Sequence, residues 1–98
     1  MINVAANDLQ LVKEILRRHI PGFEVRAFGS RVDGQTKPYS DLDLVIMSKK
    51  EVDQGILTKL KDDFAESNLS FRVDVLDWHR VAPEFRMAIE KKNEVLRF

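Results

Sequence analysis

Three acidic residues and one small turn carry the chemistry that this sequence can be read for. Gly29-Ser30 closes an alternating stretch, and ten residues later comes Asp41-Leu42-Asp43, opening an apolar run. Asp74 interrupts a third apolar run. Alternate residues of a strand face the same way, so Asp41 and Asp43 are expected to project together. Neighbouring carboxylates resist joint ionisation, and a divalent cation between them removes that penalty. Magnesium held by carboxylates keeps its other positions for water and substrate phosphate. Gly29 allows an unusual backbone angle or a close approach by a ligand. Ser30 offers a hydroxyl and the first N–H groups of the turn that follows. The pattern therefore predicts a metal–triphosphate site. It is not a Walker-type loop, because no Gly-Lys-Ser/Thr is present.

The elements that must position these residues follow from periodicity. Leu9, Val12, Ile15, Leu16 and Ile20 recur at helical spacing, giving a helix over about residues 8–19 with Asn7 or Asp8 as cap. His19 near its end suits a favourable C-terminal charge. Residues 23–29 alternate as a strand, with Phe23, Val25 and Ala27 on one face. Residues 31–40 hold turn chemistry, with one helical turn after Ser30. A second strand covers about residues 42–48. Ser48-Lys49-Lys50-Glu51 reads as a capping box for a helix running to about residue 66, with Asp62 and Asp63 on its solvated face. Residues 70–76 form a third strand, and residues 78–81 a turn in which Trp78 packs and His79 stands by. A last helix begins at Pro83 with Phe85, Ala88 and Ile89 inward, and Val95-Leu96-Arg97-Phe98 adds an edge strand.

The expected fold class is α+β (α/β in the broad sense): a small mixed β-sheet with helices packed on one face, as a single domain over residues 1–98. Leu42, Leu44, Ile46, Val73 and Val75 belong to the helical side. Asp41, Asp43 and Asp74 belong to the other, with Arg26 and Arg72 among them, and this second side is expected to be open. Phe28, Val45, Met47 and Leu76 share it, as apolar groups at a docking surface would; the alternative is that the C-terminal segment folds over them.

Ninety-eight residues with 16 basic and 16 acidic side chains give zero formal charge, against a general nucleic-acid binder. The absence of cysteine excludes disulfides and zinc thiolates. The start of the chain does not read as a signal peptide, and no apolar run approaches a membrane span. The expected location is cytoplasmic.

Gly29-Ser30, the ten-residue spacer, Asp41-Leu42-Asp43 and the later Asp74 resemble the nucleotidyltransferase superfamily related to DNA polymerase beta. The run Gly-Ser-Arg-Val-Asp-Gly followed by Ser-Asp-Leu-Asp-Leu is most similar to the minimal nucleotidyltransferases, partners of HEPN-domain proteins in toxin–antitoxin modules. The resemblance spans residues 23–98 and implies a polymerase beta palm-like fold. It implies that Asp41, Asp43 and Asp74 are catalytic and hold a two-metal Mg²⁺ site. Gly29 and Ser30 would bind the triphosphate, with Arg31 and Ser40 assisting. The implied reaction is transfer of AMP from ATP to a hydroxyl, a tyrosine of a HEPN-type toxin, with the protein acting as antitoxin. The alternative is an antitoxin subunit that binds nucleotide and neutralises its partner by complex formation without catalysis.

Overall fold

A computed structural model describes residues 2–34, 37 and 39–98. Helix α1 (Ala6–His19) is followed by β1 (Val25–Phe28), a single helical turn α2 (Ser30–Asp33), β2 (Leu42–Ile46), α3 (Gln54–Ala65), β3 (Val73–Asp77), a 3-10 turn (Trp78–Arg80), α4 (Pro83–Lys91) and β4 (Glu94–Leu96). The strands form one mixed sheet in the order β3-β2-β1-β4. β1 runs antiparallel to β2 and to β4, while β2 and β3 are parallel. The β2–β3 connection carries α3, as a parallel crossover requires.

Strand alternation sorts the side chains as the sequence implied. Val25, Ala27, Leu42, Leu44, Ile46 and Val75 point into a core closed by Val12, Ile15, Leu16, Leu57, Leu60 and Phe64 from α1 and α3. Each of these side chains other than Ala27 contributes about 1.5–3 kcal/mol on burial. Arg18 and His19 of α1 meet Asp63 of α3, each at 2.7 Å. Asp63 is therefore not merely solvated: the hydrogen bond from His19 holds its carboxyl below the usual range.

The second face is not wholly open. Ile89 of α4 packs on Phe28 and Val45, with Met47, Leu76, Trp78 and Val81 around them. Phe85 meets Phe28 edge-on at 5.8 Å. The last helix thus covers the apolar half of the face expected to be bare, because those side chains supply burial that water does not. The aspartate half remains beside it.

Two caps differ from expectation. Ala5 precedes α1 with no side-chain cap. The Ser48–Glu51 box does not form; Asp53 caps α3 by accepting Ile56 N–H at 3.1 Å. The cause is Asp77, buried on the helical side of the sheet. Its Oδ2 accepts Val52 N–H at 2.7 Å and the Arg80 guanidinium at 2.7 Å, and its Oδ1 accepts His79 N–H at 3.0 Å. Arg80 also donates to Val52 O, and the His79 ring donates to Ser48 O. These bonds hold residues 48–53 as a loop and delay the helix. Asp77→Ala leaves the buried Val52 N–H without its partner and takes from Arg80 one of its three acceptors. It is expected to lower unfolding free energy by about 2–3 kcal/mol in urea titrations, the lower range for a partly exposed pair.

Candidate active site

β2 and β3 lie in parallel register with Asp43 opposite Asp74. Phe28, the last residue of β1, pairs with Asp43 from the other side. Neighbouring strands are about 4.8 Å apart, so the two aspartates stand side by side on one face. Asp41 lies one alternate position before Asp43, just ahead of the strand.

The electrostatics record this crowding. The Asp43 carboxyl is pushed from its ordinary 3.8 to about 6, first by burial, then by the charges of Asp74 and Asp41, with Arg72 opposing. Arg72 donates to Asp74 Oδ1 at 3.2 Å, and Asp74 in turn holds the guanidinium more firmly protonated. Among the described residues, no three carboxylate or imidazole groups are gathered into a ready metal cage. The three aspartates share a face and a field, with Asp74 turned onto Arg72, rather than converging on a point. The donor set nevertheless fits a divalent cation: two carboxylates raise the pKa of a third, and a guanidinium already stands in as the neutralising charge.

The turn below Asp43 is built to admit it. Gly29 has φ 78° and ψ −158°, a region nearly closed to other residues. A Cβ there would overlap Asp43 Oδ2 and stand 3.3 Å from its Cγ. Gly29 O accepts the N–H groups of Val32 and Asp33, each at 3.0 Å, which starts α2 at Ser30. The close approach of turn and carboxylate therefore depends on a missing side chain.

Arg31 lies buried beside this turn. It is 6% exposed and lies 4.2 Å over the Phe71 ring. It donates through Nε to Ser40 O at 2.8 Å and through Nη1 to Asn3 O at 2.9 Å. Its geometry ties α2 to the residue before Asp41 and so positions both halves of the site from beneath. Ser40 Oγ accepts Lys37 N–H at 2.9 Å. His79 and Trp78 serve the fold: the former holds Ser48 O, and the latter lies under Arg86 at 5.1 Å. Asp77 was missed as a functional part of the fold. Its phase with Val73 and Val75, placing an acid on the apolar side, was the available signal.

A cleft of about 740 Å³ opens over this arrangement. Its lining includes Asp43, Asp74, Phe28, Phe85 and Tyr39, together with residues of β3 and of the segment that leads into it from α3.

Comparison with known proteins agrees with this geometry. The family model described as polymerase beta nucleotidyltransferase matches residues 9–97. A Haemophilus influenzae protein described as a probable protein adenylyltransferase, MntA, is 43% identical over 96 residues, covering 98% of this chain and 84% of the relative. A crystal structure of a toxin–antitoxin with AMP-PNP superposes with TM-score 0.73 at 23% identity, over 93% of this chain and 73% of that one. The complex of a tri-AMPylated Shewanella oneidensis HEPN toxin with an MNT antitoxin gives TM-score 0.67 at 21% identity, over 93% and 70%. At such identities the structural likeness is one of fold.

Proposed function

Because the chain belongs to the polymerase beta nucleotidyltransferase family, we propose that it transfers AMP from ATP to a tyrosine hydroxyl of a HEPN-type toxin and so acts as its antitoxin. The observation that carries this reading is Asp43: a carboxylate opposite Asp74, raised to about 6 by burial and then by its acidic neighbours, against a turn with no room for a side chain. The MntA relative and the AMPylated HEPN complex support the choice of nucleotide and partner.

Asp41, Asp43 and Asp74 are the residues that would hold Mg²⁺. When bound, the metal would neutralise the triphosphate and lower the pKa of the attacking hydroxyl. The chain's own residues do the positioning. Gly29 lets the phosphates approach the backbone, and Ser30 meets them with its hydroxyl and the N–H groups of the turn. Arg31 keeps the turn and Ser40 in fixed relation. Asp74 accepts the proton of the incoming hydroxyl. Phosphoryl transfer asks mainly for such placement and charge balance, which a domain of this size can supply.

The test is incubation of the full chain with α-labelled ATP, Mg²⁺ and a HEPN-type partner. Label is expected on partner tyrosine, with pyrophosphate released, and chelation of the metal is expected to abolish both. A partner neutralised without label, equally well by wild type and Asp43→Ala, would establish the non-catalytic antitoxin instead.

A further inference from the structure

Tyr39 is the chain's only tyrosine. It stands two positions before Asp41 and is 87% exposed, the most exposed of the large apolar side chains among the described residues. It belongs to no core cluster, yet it lines the same cleft as Asp43 and Asp74. Phe28 and the half-exposed Phe85 line that cleft as well. Packing therefore does not account for an aromatic ring at this place. What distinguishes Tyr39 is a phenolic hydroxyl on a surface side chain, tethered by two residues to the carboxylates of the site.

We propose that Tyr39 is an intramolecular acceptor, so that the protein adenylylates itself there when no partner fills the cleft. The inference rests on the function proposed above. The Tyr39 Oη–Pα bond forms as the bond from Pα to the bridging oxygen of the β-phosphate breaks. Pyrophosphate leaves with that electron pair, and the phenolic proton passes to Asp74. No oxidant or further reactant is needed, because the nucleoside triphosphate supplies the transferred group. Tethering replaces a bimolecular encounter, so even a loosely held hydroxyl gains in effective concentration.

The experiment is intact-mass and peptide mass spectrometry of the full chain after incubation with ATP and Mg²⁺, alone and with a HEPN-type partner. Alone, the wild type is expected to gain one AMP, mapped to Tyr39, with a half-time independent of protein concentration. Tyr39→Phe is expected to gain none while still labelling the partner. Partner labelling without any AMP on Tyr39 overturns the inference and leaves the proposed function standing. So does self-label that maps elsewhere, persists in Tyr39→Phe, or slows on dilution. Absence of label from both chain and partner overturns the two together.

Discussion

Replacing Asp43 by asparagine is expected to reduce nucleotidyl transfer by about 10³-fold or more while making the metal-free protein more stable. The two effects share a cause. Asp43 is half-buried among Asp74 and Asp41, and its carboxyl is pushed up to about 6. Unfolded, it would titrate near 3.8. Between these values the folded protein binds a proton that the unfolded chain does not. Wild-type stability therefore falls as pH rises from about 4 to about 6, then levels off. Asparagine cannot ionise, so the variant escapes that fall. Its advantage is expected to be absent near pH 4 and to reach about 1 kcal/mol above pH 6, after allowance for solvent screening of a partly exposed group. Urea titrations of both proteins across this range measure it. Mg²⁺ is expected to narrow the gap above pH 6 by stabilising only the wild type. A variant that is less stable at neutral pH, or one that keeps its transfer rate, contradicts the reading of Asp43 as a crowded metal ligand.

Gly29→Ala is expected to cost about 2–3 kcal/mol of stability and at least 10²-fold in transfer rate. The backbone at φ 78° and ψ −158° admits glycine almost alone. The added methyl would also collide with Asp43 Oδ2, and the carboxylate must shift to relieve it. Gly34 separates the two effects. It too has positive φ, 88°, but among the described residues nothing lies within 4 Å of a Cβ built there. Gly34→Ala is expected to cost about 1 kcal/mol of stability and to leave transfer per folded molecule unchanged. Thermal unfolding with single-turnover labelling distinguishes the pair. Equal activity losses in both variants would mean that backbone strain alone, rather than contact with Asp43, governs the turn.

Much of this was legible in the residue pattern, and the omissions have physical reasons. Period-two alternation placed Asp43 and Asp74 on the same face, and the register of β2 with β3 sets them opposite each other. The helical turn at Ser30 and the edge strand at Val95 and Leu96 likewise formed as their local chemistry suggests. Periodicity does not say on which side of a sheet a terminal helix will lie. α4 covers Phe28 and Val45 because the connection after β3 returns it there. The capping signature at Ser48 was outcompeted by Asp77, distant in sequence, which takes the Val52 N–H. Arg31 stands at a phosphate-ligand position by motif, and the fold packs it on Phe71 and bonds it to Ser40 O and Asn3 O, partners that the motif does not announce. Such partners come from segments that only the folded chain brings together. Among the described residues, no helix is long and apolar enough to cross a membrane, as the hydropathy pattern led one to expect.

The proposed function requires that one ion-binding locus join Asp41, Asp43 and Asp74 to the Gly29–Ser30 turn. It is tested most directly by titrating the isotope-labelled full chain with Mn²⁺ and a non-hydrolysable ATP analogue, following paramagnetic broadening of backbone amide resonances. Broadening is predicted to be strongest at Gly29, Ser30, Asp43 and Asp74, and to vanish in Asp43→Asn at the same metal concentration. Broadening centred on the Asp62–Asp63 pair of α3, or left unchanged by Asp43→Asn, would contradict it.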